Sequence, residues 1–176
     1  QPGDACAILS ETQSRAVLVR LAELALAQLG ARWFHLTLPT PRPLAAYVPA
    51  VRTGDLVFSA GQGPTVDGKA KFTGKLGREL TEEQGYQAAQ ICAVNCLACV
   101  KSVIGDLDKV EQVVKLLGFV ASVDGFTRQP WVMNGASELL IKLFGDRGKH
   151  ARSAIGTNQL PLDIPVEVEI VVRVRD

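Results

Sequence analysis

Several features that mark large functional classes are missing from this sequence. Its 176 residues carry a net charge of +1 without a block of like charges, so neither nucleic acid nor an anionic membrane is an expected partner. No apolar run approaches the roughly 18 residues that span a bilayer. Neither a GxSxG elbow nor an HExxH motif occurs. With 47% hydrophobic and 21% charged residues, the composition is that of an ordinary globular domain.

Cysteine and histidine are scarce. The chain has four cysteines and two histidines: Cys6, Cys92, Cys96, Cys99, His35 and His150. The last three cysteines are spaced i, i+4 and i+7, which places them on one face of a helix. Because the histidines are distant in sequence, we interpret these cysteines as small apolar packing residues rather than metal ligands. The pattern is not a disulfide framework, which favours a reducing compartment and a cytoplasmic protein.

The first 45 residues differ from the rest of the chain. Residues 14–32 form an amphipathic helical pattern with three arginines and one glutamate. Such a segment is typical of an organelle transit peptide, but we favour an ordinary helix packed on the domain. Residues 37–45 hold three prolines, which block a helix and mark a boundary. We therefore predict an N-terminal helical extension with a proline-rich connector over 1–45 and a main domain over 46–176.

The main domain shows alternating strand and helix signals. A TGD hairpin signal separates two short apolar strands, and a glycine-rich stretch over 61–77 follows them. A TEEQ capping box begins one helix, and Pro130 begins another. The predicted elements are strands Tyr47–Arg52, Leu56–Ala60 and Lys69–Thr73, a helix from Thr81 to Ile104, strand Val110–Ser122, a helix from Pro130 to Phe144, and strands Ala151–Thr157 and Val166–Val174. Two helices beside a mostly antiparallel sheet predict an α+β layer fold.

Polar residues in apolar strands are the candidates for chemistry. Arg152 begins an apolar strand, and its planar fork of donors suits a carboxylate; a surface ion pair is the alternative. Glu167 and Glu169 alternate with valines and share one strand face, either as proton acceptors or as a solvated surface. The glycine-rich stretch lacks the spacing of a phosphate loop and is either a ligand-contacting loop or a connector. His150, next to Arg152 in sequence, we interpret as a surface residue.

These stretches together resemble the Rid family of reactive-intermediate deaminases, also called YjgF-like. The matching pieces include AYVPAVRTGDLVFSAGQ, VVKLLGFVAS, FTRQPWVMNGASE and, most specifically, ARSAIGTNQLPLDIPVEVEIVV, so the resemblance spans about 47–174. It implies a chorismate-mutase-like α+β fold and a homotrimer with ligand sites between subunits. It also implies hydrolysis of 2-imino acids to 2-keto acids and ammonia. No metal or organic cofactor is expected, because an imine is already electrophilic.

The resemblance also assigns roles to particular residues. Arg152 matches the family's carboxylate-binding arginine, and Glu167 matches the glutamate that orients or activates water. Tyr47, Gly61 and Asn134 match residues that line the site. Ala154 and Ala60 depart from the cysteine and the serine or threonine that are usual at their positions. These departures keep open a non-catalytic protein that binds a keto acid or another small carboxylate metabolite, and an endoribonuclease is a third possibility.

Overall fold

The computed structural model describes residues 5–11, 19, 22–23, 26, 32–38 and 47–176. The chain divides into two compact units, 1–40 and 41–176. In the first, strand β1 (Ala5–Glu11) pairs in parallel with β2 (Arg32–Leu38). Four described positions between these strands, at 19, 22, 23 and 26, are helical. Arg32, predicted as the end of the helix, and Thr37 and Leu38, predicted as part of the connector, belong to β2 instead. The other residues of the helix predicted over 14–32 and of the proline-rich connector lie outside the described residues, so the extension stays a prediction.

The second unit is built on a five-stranded sheet in the order β3-β4-β9-β7-β8. Its strands are β3 (Ala50–Thr53), β4 (Leu56–Ser59), β7 (Val110–Ala121), β8 (Ala151–Thr157) and β9 (Val166–Val174). All neighbours are antiparallel except β7 and β8, which run parallel. The edge strand predicted over 69–73 is shorter and forms a separate hairpin from β5 (Thr65–Val66) and β6 (Lys69–Ala70).

Two long helices begin and end at the residues that predicted them. Helix α1 spans Glu82–Ile104, and the Thr81 hydroxyl accepts the Gln84 N–H while the Gln84 side chain accepts the Thr81 N–H. Gly105 ends the helix at a φ of 81°. Helix α2 spans Gln129–Phe144, with Pro130 in its first turn and Gly145 after its last. Short 3-10 turns occupy Leu107–Lys109, Gly145–Gly148 and Pro161–Asp163. The predicted α+β architecture is therefore confirmed.

The core lies between the helices and one face of the sheet. On β9 the even-numbered positions Val166 to Val174 are buried, whereas Glu167 and Glu169 are half-buried on the other face. By length and composition α1 could cross a membrane, but most of it is buried among α2 and the sheet. Its apolar character is that of a core helix.

The three cysteines of α1 belong to this core. The Cys92 and Cys96 thiols are fully buried and donate to the carbonyls of Val166 and Val168, with S–O distances of 3.5 and 3.1 Å. Burial raises the pKa of the Cys99 thiol to about 11 and that of the other two further. All three are therefore unreactive thiols at neutral pH, which confirms the packing interpretation. Among the described residues, no group of three or more histidines, cysteines and carboxylates could hold a metal ion.

The other face of the sheet is not covered by α1 or α2, and on it exposed apolar residues lie beside Glu167 and Glu169. Val51, Phe58 and Val171 are paired neighbours across β3, β4 and β9. Val51, Phe58 and Ile155 of β8 are 53%, 41% and 47% exposed. Exposed apolar residues of this kind are typical of a protein interface. We call this surface the open face.

Candidate functional site

Arg152 is held on the helix side of the edge strand β8. It lies level with Leu116 of β7, which lies level with Ile170 of β9, and both of these are core residues. The guanidinium reaches α2, where its Nη1 donates to Asn134 Oδ1 at 2.9 Å and to Ser137 Oγ at 3.0 Å. Because Asn134 and Ser137 are three residues apart on one helix, they face the same way and fix the guanidinium at two points.

The charge of Arg152 is not compensated by any carboxylate in the described part of the chain. Both of its acceptors are neutral, and Nη1 makes both bonds, so Nε and Nη2 have no protein acceptor there. The side chain is partly buried, and this desolvation lowers its pKa, although an arginine remains charged at any physiological pH. The surface ion pair considered for Arg152 is therefore not what the described residues show. One edge of the guanidinium is left to bind a planar anion.

His150 extends this arrangement by one further contact. Its Nε2 lies 3.0 Å from Ser137 Oγ, and its Nδ1 lies 2.7 Å from the carbonyl oxygen of Gly148. Because a carbonyl can only accept, Nδ1 carries the proton in neutral His150 and Nε2 accepts the Ser137 hydroxyl. Gly148 makes the turn possible, since a Cβ there would overlap the carbonyl of Leu140.

The surroundings of His150 keep it neutral. Burial is the largest influence and lowers its pKa; the Gly148 carbonyl raises it, and the charge of Arg152 lowers it again. The net shift is downwards from 6.5. At neutral pH the imidazole is therefore a free base, hydrogen-bonded to a hydroxyl that also touches the arginine.

Glu167 forms a second group, together with Gly61. The chain leaves β4 after Ser59, whose hydroxyl accepts the Ile170 N–H at 3.0 Å, and rejoins β9 where Gln62 pairs with Val168. Gly61 lies between these points, and a Cβ on it would overlap the Glu167 carboxylate. Burial, with a smaller effect of Glu169, raises the pKa of Glu167. This carboxylate is therefore a better proton acceptor than an exposed one.

The glycine-rich loop is fixed by a helix side chain. Asn95 is 5% exposed, and its Nδ2 donates to the carbonyls of Gly63 and Thr65 at 2.8 and 3.1 Å. These bonds hold the loop just after Gly61 against α1. The loop therefore has a defined course beside Glu167.

Arg152 and Glu167 do not meet within one chain. Glu167 lies level with Phe119 of β7, which is level with Ile155 of β8 on the open face. Arg152 and Ile155 are three residues apart in one strand, so they point to opposite faces. Tyr47 is 55% exposed and lies two residues before Pro49, whose carbonyl accepts the Ala60 N–H at 2.8 Å. Of the sequence-predicted residues, the structure brings Arg152 together with Asn134, and Glu167 together with Gly61. We call these two groups the half-sites.

A family model matches residues 34–172, most of the chain, and its description is "YjgF/chorismate_mutase-like, putative endoribonuclease". The chain belongs to the YjgF family. A relative, Protein TCP17 of Trypanosoma cruzi, is 42% identical over 135 residues, which are 76% of this chain and 84% of that protein.

Two solved structures have a similar fold. The Agrobacterium tumefaciens protein Atu1372, described as of unknown function, is 41% identical with a TM-score of 0.76, and the match covers 89% of this chain and 94% of that one. A Shewanella oneidensis protein, whose description is "a putative endoribonuclease", is 28% identical with a TM-score of 0.75. The match covers 86% of this chain and 98% of that one. The fold of this YjgF-family chain is therefore shown by both sequence and structure.

Sequence reasoning missed two residues of this YjgF-family site. Ser137 lies within a helix and belongs to no motif. His150 was interpreted as a surface residue, but the Gly145–Gly148 turn folds it back over α2. A signal was present in the two glycines around that turn, since glycine at both positions predicts a tight reversal just before His150.

Proposed function

We propose that the protein hydrolyses 2-imino acids to 2-keto acids and ammonia. The observation that carries this proposal is the Arg152 guanidinium, which two neutral side chains fix while its Nε and Nη2 have no acceptor in the described residues. A carboxylate binds such an edge through two parallel hydrogen bonds. This edge therefore supports an organic acid as substrate, and in the proposed 2-imino acid the reactive carbon lies next to the carboxylate.

The remaining chemistry needs a positioned water. Glu167 has a pKa raised by burial, which suits a group that accepts a proton from water as it attacks the imine carbon. Arg152 holds the carboxylate and brings the carbon to that water. The resulting carbinolamine loses ammonia and leaves the keto acid. An imine is electrophilic, so orientation and proton transfer supply the catalysis.

The site is completed by a second subunit. Arg152 and Glu167 lie on opposite faces of one sheet, so one substrate can touch both only if the residues come from different chains. The exposed apolar residues of the open face provide the surface for association. A closed ring of three chains gives every Arg152 half-site a neighbouring Glu167 half-site. We therefore propose a homotrimer with its sites between subunits.

The proposal is tested by adding the purified protein to a threonine dehydratase reaction and following the loss of imine absorbance. The wild-type protein is expected to accelerate the loss, and Arg152→Ala is expected to abolish the acceleration. Arg78→Ala is the matched control, because Arg78 is an exposed arginine paired with Glu79 in a loop. An active Arg152→Ala protein would contradict the proposal.

The same preparation distinguishes two other functions. Keto-acid binding without imine hydrolysis would identify a binding protein, which the Ala154 departure favours. The family description and the Shewanella oneidensis relative mention ribonuclease activity. Cleavage of RNA that disappears in Arg152→Ala would support that function, although a net charge of +1 provides little attraction for a polyanion.

A further inference from the structure

Two buried glycines near Arg152 are not explained by their backbone conformations. Gly118 lies on β7, and Gly135 lies on α2 directly after Asn134. Both are buried, and neither belongs to the glycines that have a positive φ. Alanine could therefore adopt the backbone conformation at either position. The reason for glycine must lie in the space around each residue.

Gly118 leaves room for the side chain of Met133 on α2. A Cβ on Gly118 would overlap the Met133 sulfur and lie 2.9 and 3.3 Å from its Cγ and Cε. Gly118 lies level with Ala154 of β8 and Val168 of β9, on the sheet face that carries Arg152. Met133 is fully buried, so its side chain has no free space to move into if residue 118 becomes larger.

Gly135 leaves room for the backbone of α1. A Cβ on Gly135 would overlap the carbonyl oxygen of Tyr86, so the two helix backbones approach closely at this point. A backbone carbonyl cannot rotate away as a side chain can. Helix α2 therefore cannot move towards α1 to relieve an overlap between Met133 and the sheet.

These packing contacts flank the two residues that fix Arg152. Asn134 lies between Met133 and Gly135 in sequence, and Ser137 follows Met133 by four residues, on the same helix face. Their side-chain oxygens accept Arg152 Nη1 at 2.9 and 3.0 Å. Because such a hydrogen bond is lost beyond about 3.5 Å, a shift of α2 by about 1 Å would release the guanidinium.

We propose that Gly118 is a positioning residue that acts on Arg152 through Met133 and α2. Without a side chain, it lets Met133 pack into the sheet, which brings both acceptors on α2 within hydrogen-bonding distance of the guanidinium. The Nε–Nη2 edge is then oriented before a carboxylate arrives, and a preoriented group binds more tightly than a mobile one. This inference rests on the proposed function, because it concerns the same arginine.

The test measures binding of 2-ketobutyrate by isothermal titration calorimetry in Gly118→Ala, Met133→Ala and the double variant. Met133→Ala removes the three atoms that a Cβ at residue 118 would meet. We expect Gly118→Ala to weaken binding about three- to tenfold, the effect of one long side chain that the ligand has to immobilise. In the Met133→Ala background, the same substitution should leave the affinity unchanged. An equal loss in both backgrounds, or no loss in either, would overturn the proposal.

Leu97→Ala separates the positioning role from a general loss of stability. Leu97 is fully buried in α1, so its truncation should lower the melting temperature at least as much as Gly118→Ala does. Its affinity for 2-ketobutyrate should nevertheless equal that of the wild type. If Leu97→Ala weakens binding as much as Gly118→Ala, loss of stability explains the effect and the positioning role is wrong.

A second measurement does not require Gly118→Ala to fold. The double variant Asn134→Ala, Ser137→Ala removes both acceptors of Arg152 without adding an atom to the core. It should weaken 2-ketobutyrate binding by a similar factor, about three- to tenfold. Wild-type affinity in this variant would show that fixing the guanidinium has no effect on binding, which would overturn the proposal alone. Absence of 2-ketobutyrate binding by the wild-type protein would overturn the proposed function as well.

Discussion

Replacing Arg152 by alanine should remove most of the affinity for a keto acid. In the structure Nη1 is occupied by Asn134 and Ser137, which leaves Nε and Nη2 for the ligand. A hydrogen bond to a charged group contributes about 1.5–3 kcal/mol. Two such bonds therefore give about 3–6 kcal/mol, and their loss corresponds to a roughly 10²–10⁴-fold weaker affinity.

A lysine variant tests whether keto-acid affinity depends on the guanidinium or on positive charge alone. Arg152→Lys retains the charge but cannot contact both α2 acceptors and offer a two-pronged edge. We expect it to bind the keto acid roughly tenfold to 100-fold more weakly than the wild type, so that its affinity lies between those of the wild type and Arg152→Ala. Isothermal titration calorimetry with 2-ketobutyrate measures all three, and thermal unfolding checks that each is folded.

The unfolding free energy should change by only about 1 kcal/mol in either variant, because Asn134 and Ser137 are half-buried and water can replace the lost donor. Wild-type affinity in Arg152→Ala would refute the reasoning. So would a lysine variant that binds as tightly as the wild type, since a diffuse positive charge would then suffice.

Three further predictions concern Gly61, the core and pH. Gly61→Ala should impair hydrolysis by displacing the Glu167 carboxylate, which a Cβ at residue 61 would overlap; wild-type kcat in this variant would contradict the prediction. Leu76→Ala should lower the free energy of unfolding by about 2–5 kcal/mol, because Leu76 is fully buried, whereas Leu162→Ala, at an 81% exposed position, should change it by under about 0.5 kcal/mol in denaturant titrations. The pKa of His150 is lowered in the folded protein, so the unfolded chain binds more protons below pH 6.5. The free energy of unfolding should therefore fall as the pH drops from 6.5 through the folded-state pKa. In His150→Gln, unfolding curves measured against pH should lack this dependence.

Local sequence signals predicted the helix ends well where single residues start or stop a helix. The capping box at Thr81 and the glycine at 105 bound α1, and Pro130 and Gly145 bound α2. Strand β9 followed from alternation. The strand predicted over 69–73 is too long, because two of its five residues, Lys69 and Ala70, pair with the strand Thr65–Val66. Such pairing is not encoded locally.

The arrangement of the candidate site could be predicted only in part, because it too depends on pairing between distant segments. Alternation assigns residues of one strand to two faces, but it does not say which face of β8 matches which face of β9. The separation of Arg152 from Glu167 therefore required the register of β7 between them. The Ser137–His150 contact likewise depends on the path of a turn, since neither residue has a neighbour in sequence that indicates a partner.

The most direct test of a site shared between chains is complementation. Arg152→Ala and Glu167→Ala chains are co-expressed with different tags, and mixed oligomers are isolated through both tags and assayed for imine hydrolysis. Each parent should be inactive. In every three-membered ring that contains both chains, one site of the three combines an intact Arg152 with an intact Glu167 from its neighbour, so about a third of the wild-type activity should return. Mixed oligomers as inactive as their parents would contradict the account.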